Sequence, residues 1–389
     1  MKMTRRELIS SSVLPVLMNF PMSVASAKGK DFLVYVGTYT NKNRSKGIYA
    51  FRFDAGSGKL DPLGLVAEMA NPSFLAIHSN NRWLYAVSEM ADGRGKSTGS
   101  VSSFSIDTKT AKLTLRNTVD SKGDGPCFVR TDHTGKNVLV ANYNSGSAAV
   151  LPIKEDGTLA EASAVVQDHG TGADKQRQEG PHAHSFNVSP DNRFAVCCDL
   201  GIDKVMVYHF DAAKGSLTPN DPPFTSLKPG SGPRHFDFHP SARYAYSINE
   251  LSSTVTAFSY DKAKGVLTEI QTLSTLPPDY KSPNQSTADV HVHPSGKFLY
   301  GSNRGHNSIV VYSIAPSTGK LTYIENTSTQ GGVPRSFGLD PTGKWLISAD
   351  QDVDILVVFS IDQKTGRLTP TGQKVACGMP VCVKFSSPV

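Results

Sequence analysis

Apolar and polar residues alternate along this chain in short segments, and each segment ends in a turn. An apolar strand, an acidic or glycine-containing turn and a leucine follow one another seven times, at intervals of roughly 50 residues. Helical periodicity is weak throughout. Short strands with regular turn signals predict an all-β repeat protein, and seven repeats of this length predict a seven-bladed β-propeller with four-stranded blades. The copies are 53–60, 106–113, 153–159, 210–217, 260–267, 314–321 and 361–368.

A second repeat interleaves with the first and predicts how the ring closes. It consists of a proline or small residue, an alternating strand, a tight turn and another strand, at 71–89, 125–143, 180–200, 232–250, 286–304 and 333–351. Only its first half occurs at 379–385, and the strand-like segments 32–37 and 48–53 supply the rest. We therefore expect the C-terminal strand to complete the blade begun by the N-terminal strands, which leaves no open sheet edge.

Residues 1–27 differ from the repeats and predict an export signal. Arg5 and Arg6 precede a moderately apolar stretch at 13–24, and Ala-Ser-Ala at 25–27 provides a small-residue cleavage site. The paired arginines favour twin-arginine export, with an ordinary secretory signal or a membrane anchor as alternatives. The apolar stretch is too short and polar for a comfortable membrane span, so no stable insertion is expected after cleavage. Residues 28–389 are predicted to form one propeller domain in the periplasm.

Charge and cysteine content narrow the possible partners. The net charge is +6, and no basic run is interleaved with aromatic residues, so nucleic acid is not an expected partner. This modest positive charge would suit a small anionic molecule if the arginines converge. The five cysteines show no Cys-x-x-Cys spacing. Neither a structural disulfide nor a zinc site is expected, and because no carboxylate-rich set accompanies the histidine pairs at 182/184 and 291/293, no metal or cofactor is predicted.

The turn of the second repeat indicates which residues border the central channel. Six residues before the turn proline the innermost strand begins, and ten residues after it the next strand ends. Antiparallel pairing places both positions at one end of the strands, around one rim of the channel. The first ring contains Ser73, Cys127, His184, Arg234, Ala288, Arg335 and Val381, and the second contains Glu89, Tyr143, Leu200, Glu250, Arg304 and Gln351.

These two rings vary from repeat to repeat, whereas the residue just before the second ring is small and polar in every repeat. Positions that carry the same residue type in every repeat support the fold. Charged positions that differ between repeats are candidates for a functional site. A single charged residue at the rim can equally well be solvated and without function. The convergence of several such residues is what indicates a functional site. The candidates are His182, His184, Arg234, His235, Glu250, Arg304, His306 and Arg335, with Tyr143 and its neighbour Asn142 as substrate contacts. Glu89 and Asp350, which have no predicted arginine nearby, and His239, His291 and His293 are expected to be structural.

At these residues the chain resembles the bacterial propeller-type 6-phosphogluconolactonase family, which includes the related fungal carboxymuconate cyclases. Gly-Pro-His-Ala-His-Ser-Phe at 180–186 and Gly-Pro-Arg-His-Phe at 232–236 carry the resemblance, together with 36–40, 248–251, 293–305 and 334–341. The resemblance spans essentially the whole chain after residue 27. It implies a metal-free seven-bladed propeller that acts on lactones. The family pattern of one His, two Arg and one Glu falls on His182 or His184, Arg234, Arg304 and Glu250.

Hydrolysis of a lactone needs a base for water, donors for the developing oxyanion, and positive charge for an acidic substrate. We expect Glu250 to be the general base, with His182 or His184 as an alternative base or proton donor. Arg234 and Arg304 would stabilise the oxyanion or hold a carboxylate or phosphate. Arg335 and His306 would add further anion contacts.

The substrate and the reaction remain open between alternatives. The family's usual substrate is a phosphorylated sugar lactone of the cytoplasm, whereas residues 1–27 predict export, so an unphosphorylated aldonolactone of the periplasm is a second candidate. A muconate-type lactone cyclase or lyase would use similar residues. A non-enzymatic propeller would instead bind a ligand or a protein through one face. The loops 91–99, 168–180 and 276–287 are long for hairpins and are predicted to be lids or specificity loops.

Overall fold

Seven four-stranded antiparallel sheets make up the computed structural model, which describes residues 31–40, 43–90 and 99–388. The predicted export signal at 1–27 and nearly all of the loop 91–99 lie outside the described residues. The first strands of adjacent blades contact one another and line a central channel. The predicted seven-bladed β-propeller is therefore confirmed.

The strands follow the chain order within each blade except in blade 1, whose innermost strand is the last one. Blade 1 contains β1 (Asp31–Thr38), β2 (Gly47–Asp54), β3 (Lys59–Glu68) and β28 (Pro380–Pro388); blade 2 contains β4 (Leu75–Ile77), β5 (Trp83–Ser88), β6 (Ser100–Ile106) and β7 (Leu113–Asp120). Blade 3 contains β8 (Pro126–Thr131), β9 (Asn137–Asn142), β10 (Ser147–Pro152) and β11 (Ala164–Gln167); blade 4 contains β12 (Ala183–Val188), β13 (Phe194–Asp199), β14 (Lys204–Asp211) and β15 (Ser216–Ser226). Blade 5 contains β16 (Pro233–Phe238), β17 (Tyr244–Asn249), β18 (Thr254–Asp261) and β19 (Val266–Ser274); blade 6 contains β20 (Ser286–Val292), β21 (Phe298–Arg304), β22 (Ser308–Ile314) and β23 (Leu321–Ser328). Blade 7 contains β24 (Pro334–Leu339), β25 (Trp345–Asp350), β26 (Ile355–Ile361) and β27 (Leu368–Ala376), and short 3₁₀ turns occur at Leu200–Ile202 and Gln351–Val353.

Strand β28 closes the ring by pairing with β1. The two strands are antiparallel, with Val34 opposite Phe385 and Val36 opposite Val383. The N-terminal strands and the C-terminal strand thus share blade 1, as the interrupted second repeat predicts.

The turn of the first repeat has a physical basis in its acidic residue. The carboxylate of Asp107 accepts from the backbone N–H of Lys109 over 2.9 Å, and that of Asp362 accepts from Lys364 over 2.8 Å. Side chains of this type favour tight turns by bonding their own backbone two residues on. The leucine that follows each turn returns to the interior, and Leu60 and Leu321 are each 3% exposed.

Histidines at the opposite end of the strands join neighbouring blades. Nε2 of His239 lies 2.8 Å from the carbonyl oxygen of Gly296 in blade 6, and Nε2 of His293 lies 2.7 Å from that of Gly343 in blade 7. The other ring nitrogen of each bonds a serine two residues on. The structural role predicted for His239 and His293 is confirmed.

In the part of the chain that the structure describes, no helix has the length and apolar character needed to cross a membrane.

Candidate active site

A β-bulge in the innermost strand presents the first-ring residue at the mouth of the channel. In blades 3, 4, 5 and 7 the pairing of the first two strands skips one residue. A bulged residue has no partner across the ladder, and its side chain is redirected. The skipped residues are Cys127, His184, Arg234 and Arg335.

Three guanidinium groups converge on the carboxylate of Glu250, which follows β17. Its Oε2 accepts from Nε of Arg234 over 2.9 Å and from Nη2 of Arg304 over 3.0 Å. Its Oε1 accepts from Nη2 of Arg177 over 2.8 Å. The side chains of Glu250 and Arg234 are only 7% and 3% exposed, so this charge pair is nearly desolvated. The structure therefore brings together Arg234, Glu250 and Arg304, as the sequence predicts.

The arginines govern the proton affinity of Glu250. Burial by itself would raise the pKa of this carboxyl, but Arg304, Arg234 and their neighbours hold the pKa well below its usual value. Burial in turn lowers the pKa of Arg304 to about 10, although Glu250 opposes the shift. Both carboxylate oxygens already accept from guanidinium groups, so neither is free to take a proton from water. The site geometry thus disfavours the expected role of Glu250 as the general base.

His184 lies at the same mouth and differs from Glu250 in being uncharged. Burial and the positive charge of Arg234 hold its pKa well below the usual value, so the imidazole is neutral. Its Nδ1 lies 3.6 Å from Sγ of Cys127, while Sγ also reaches the backbone carbonyl of His184 over 3.5 Å. The hydrogen bonds of His184 to the described residues involve Nδ1 and the backbone oxygen, and none involves Nε2. Burial raises the pKa of the Cys127 thiol, which excludes a thiolate nucleophile at ordinary pH.

His182 is fixed differently, although it belongs to the same Pro-His-Ala-His segment. Its Nδ1 lies 3.0 Å from the carbonyl oxygen of Tyr143, and its Nε2 lies 3.1 Å from Oε1 of Glu179. The imidazole stacks on the Tyr143 ring, with ring centres 4.5 Å apart. Both nitrogens of His182 are occupied, so it supports the wall of the site and has no free nitrogen for a substrate.

A second wall of the site is formed by Arg335, Tyr39 and Glu89. The guanidinium carbon of Arg335 lies 5.2 Å from the centre of the Tyr39 ring. The hydroxyl of Tyr39 donates to Glu89, at 3.0 Å from each carboxylate oxygen. Burial would lower the pKa of Arg335, but the nearby acidic groups, among them the carboxylates of Glu89 and Glu250, raise it. The prediction that Glu89 lacks a nearby arginine is therefore wrong, because the opening strand inserts Tyr39 between the two groups.

His235 lies behind Arg234 and not at the mouth, because it follows the bulge. Its ring centre lies 5.5 Å from that of Phe74 in blade 2 and 5.5 Å from that of Phe128 in blade 3. Rings from non-adjacent blades thus meet across the channel axis and form a septum. A cavity of about 400 Å³ lies beyond it, lined in part by Asp237 and His291. The predicted substrate contact of His235 is not supported, because both of its nitrogens are engaged within the protein.

Two other candidates point away from the Glu250 cluster. The amide nitrogen of Asn142 donates to Ser147 Oγ over 3.2 Å in its own blade and to Ser121 O over 3.1 Å in the connection from blade 2. Nδ1 of His306 bonds Ser308 Oγ over 2.7 Å, and its ring packs on Tyr280. The structure therefore does not bring Asn142 or His306 into the site. Asp350 is held by Thr329 and Ser348, in keeping with a structural role.

Three functional contacts were not identified from the sequence. Arg177 comes from the loop 168–180, and a residue of a long irregular loop cannot be placed from the repeat. Tyr39 and Asp289 likewise take their partners, Glu89 and His235, from neighbouring blades, so these contacts depend on three-dimensional packing. Among the described residues no group of three His, Cys, Asp or Glu side chains is arranged to hold a metal ion. The five cysteines are free and buried.

Comparison with known proteins identifies the family. Residues 33–385 match the family model described as lactonase, seven-bladed β-propeller. The chain belongs to this lactonase family. The 6-phosphogluconolactonase of Bacillus subtilis is 40% identical over 354 residues, which cover 91% of this chain and 98% of the relative. That of Formosa agariphila is 35% identical over 311 residues, covering 79% and 86%.

This lactonase also resembles a gluconolactonase of known structure. The periplasmic gluconolactonase of Pseudomonas aeruginosa superimposes with a TM-score of 0.85 at 34% identity, covering 92% of this chain and 100% of that chain. The resemblance inferred from the sequence, including its expectation of a lactonase, is confirmed at the level of the family.

Proposed function

We propose that this lactonase hydrolyses a sugar lactone to the hydroxy acid at the mouth of the channel formed by Glu250, its arginines and His184. The observation that carries the proposal is the convergence of three guanidinium groups on one buried carboxylate beside a neutral imidazole with a free nitrogen. Such a set can bind an acidic or polar lactone, polarise its carbonyl and accept a proton from water.

In the proposed reaction His184 activates the attacking water. Sγ of Cys127 lies within reach of the backbone carbonyl oxygens of Ala183 and His184, and we assign the thiol hydrogen to this contact. Nδ1–H of His184 then donates to Sγ, and Nε2 keeps its lone pair. Water adds to the lactone carbonyl carbon as Nε2 takes its proton. The ring C–O bond then breaks, and the imidazolium returns a proton to the leaving oxygen, which gives one hydroxyl group and one carboxylic acid. The acid releases its remaining proton to the solvent and becomes the carboxylate.

The arginines stabilise charge in this scheme, and Glu250 arranges them. Nε of Arg234 is bound to Glu250, but no described residue accepts from its Nη2. This free donor, with Arg304, would bind the oxyanion that forms on the carbonyl oxygen. Glu250 remains ionised as the counter-charge that keeps the guanidinium groups together. Arg335 contributes further positive charge on the opposite wall.

For the substrate we propose an unphosphorylated aldonolactone, taken up in the periplasm after twin-arginine export and removal of residues 1–27. The charged start and small-residue end of 1–27 support export. The likeness to a periplasmic gluconolactonase supports the substrate class. The carboxylate of Glu89 beside Arg335 also disfavours a dianionic phosphate at that wall. The curated relatives, in contrast, are named for a phosphorylated lactone.

The test is pH-stat hydrolysis of glucono-1,5-lactone and of its 6-phospho form by the purified protein. We expect saturable hydrolysis of both, with the higher kcat/KM for the unphosphorylated lactone. A higher value for the phosphorylated lactone would contradict the proposed substrate but not the reaction. A rate no greater than spontaneous hydrolysis on either lactone would contradict the reaction itself and favour a muconate-type reaction or a binding propeller.

A further inference from the structure

A buried carboxylate on the far side of the septum is linked to the site through His235. Asp289 lies in the bulge of β20 and is 2% exposed. Its Oδ1 lies 2.7 Å from Nδ1 of His235 and accepts from the backbone N–H of Val290 over 3.0 Å. Its Oδ2 accepts from Oγ of Ser336 over 2.9 Å. Every described contact of this carboxylate is thus made with a donor inside the protein.

The two neighbours of His235 specify its tautomer. Nη1 of Arg234 lies 3.2 Å from Nε2 of His235, and a guanidinium can only donate, so Nε2 must carry the lone pair. The carboxylate of Asp289 can only accept, so Nδ1 must carry the hydrogen. Burial and the charge of Arg234 lower the pKa of His235 to about 4, although Asp289 opposes the shift. Phe74 and Phe128 hold the ring edge-on.

The orientation of Arg234 depends on this support. Its Nε donates to Glu250, and its Nη1 donates to His235 and to the carbonyl oxygen of Ala288. These three contacts determine the plane of the guanidinium and direct Nη2 away from its protein partners. A guanidinium held in one plane loses less freedom when it binds an oxyanion.

Asp289 also supplies negative charge near Arg234, a buried cation that lies close to a second arginine. Arg234 lies within the electrostatic range of Arg335, which lowers its pKa along with burial, and the charges of Glu250 and Asp289 oppose this effect. Asp289 is itself kept ionised: burial would raise its pKa, but His291 and His235 hold it well below the usual value. A buried anion therefore lies one imidazole away from a buried cation.

We infer that Asp289 and His235 are positioning residues, which hold the Arg234 guanidinium in the orientation that stabilises the transition state of lactone hydrolysis. The inference rests on the proposed function and extends it across the septum. Neither residue touches the substrate. Because the pair acts through a single hydrogen-bonded chain, losing either member has the same consequence as losing both.

The first measurement tests the hydrogen bonds from Asp289 through His235 to Arg234, and it needs no substrate. In protein labelled with ¹⁵N-histidine, the wild type should show His235 as the neutral Nδ1–H tautomer between pH 5 and pH 8, assigned by its absence in His235→Phe. An Nε2–H tautomer, or titration near the ordinary pKa of a histidine, would overturn the inference whether or not the protein hydrolyses any lactone.

The second measurement reports the role in catalysis. Asp289→Asn, His235→Phe and the double variant should each lower kcat/KM by about 10–100-fold, as loss of outer hydrogen-bond partners does elsewhere. The fall should be mainly in kcat, and the double variant should be no worse than the singles. Asp350→Asn is the matched control, because Asp350 is a buried carboxylate bound by Thr329 and Ser348. Unchanged kcat in Asp289→Asn with an active wild type would overturn the positioning role and leave the proposed function intact. An inactive wild type would contradict the proposed function, on which the catalytic role of the pair rests.

Discussion

Arg177 donates to Glu250 over 2.8 Å although the two residues are separated by 73 positions and lie before blade 4 and after β17 of blade 5. The same Nη2 lies 3.2 Å from the hydroxyl of Tyr143. Arg177 is the one arginine of the Glu250 cluster that comes from a loop, and its side chain is 43% exposed. It thus closes the mouth from the solvent side while Arg234 and Arg304 act from within the blades.

This arrangement predicts that Arg177 contributes to substrate binding more than to the chemical step. Arg177→Ala should raise KM for the lactone by about 3–10-fold and leave kcat within about 2-fold. The thermal midpoint should barely change, because exposed ion pairs stabilise little. Arg367→Ala is the matched control, since its exposed pair with Glu325 lies on another part of the surface. A fall in kcat with constant KM would show that Arg177 acts in the transition state instead.

The two histidines of the Pro-His-Ala-His segment should differ in their importance. His184→Asn removes the free neutral imidazole and should lower kcat by about 10²–10⁴-fold, the usual contribution of a general base. His182→Asn removes an imidazole whose nitrogens are both occupied, and should cost less than about 10-fold. Steady-state kinetics of both variants on one lactone decides the matter. Equal losses would remove His184 from its role as the base.

Glu250 should matter for stability as well as for rate. Glu250→Gln leaves buried arginines without their counter-charge, and breaking a buried pair in this way costs about 3–5 kcal/mol. Urea unfolding should therefore show a large loss in Glu250→Gln and a much smaller one in His184→Asn. If Glu250→Gln were fully stable but inactive, the carboxylate would act in the chemistry and not as the organiser of the arginines.

The depressed pKa of His235 predicts an acid-dependent loss of stability. The unfolded chain takes up a proton near pH 6.5, but folded His235 does so only near pH 4, so stability is complete above pH 6.5 and falls as the pH drops toward 4. Asp350, whose pKa burial raises to about 6, acts in the opposite direction. The informative quantity is the difference in unfolding free energy between wild type and His235→Phe. It should shrink by about 1–2 kcal/mol from pH 7 to pH 5; a constant difference would contradict the shift.

The wall formed by Glu89 predicts selectivity against phosphate. Glu89→Gln should increase the rate on the 6-phospho lactone relative to the unphosphorylated lactone by about 3–10-fold, because one repelling charge at this range is worth roughly 1 kcal/mol when screened. Tyr39→Phe is the control for the loss of the hydrogen bond without loss of charge, and should leave the ratio unchanged. A ratio that is the same in Glu89→Gln would mean that phosphate binds away from this wall.

The sequence repeat predicts the features that recur in every blade, but it does not predict the β-bulges that redirect single side chains. Because seven units share one spacing, blade number, ring closure and the positions of Arg234, Glu250 and Arg304 follow from the sequence. The bulge in the innermost strand does not, since the extra residue leaves the spacing unchanged. It turns Arg234 toward the mouth and places the next residue, His235, behind it. From the sequence, both residues stand at the start of the innermost strand, and this position alone predicts the rim for both.

Packing that one repeat does not specify explains the remaining differences. The sequence predicts no arginine near Glu89, yet Arg335 of a non-adjacent blade approaches it through Tyr39. Asn142 is predicted as a substrate contact beside Tyr143, but its amide bonds within its own blade. Such pairings depend on how the ring brings distant blades together, which no single repeat specifies.

The aromatic septum has a consequence for the movement of molecules. With Phe74, Phe128 and His235 meeting across the axis, the channel is not a passage from one face to the other. In the proposed function the lactone enters at the Glu250 end of the channel. The acid formed from it would have to leave by the same entrance. In the proposed reaction the leaving carboxylate passes the same arginines that receive the next lactone. We therefore expect accumulating acid to compete with incoming lactone, so that hydrolysis is fastest where the product is removed.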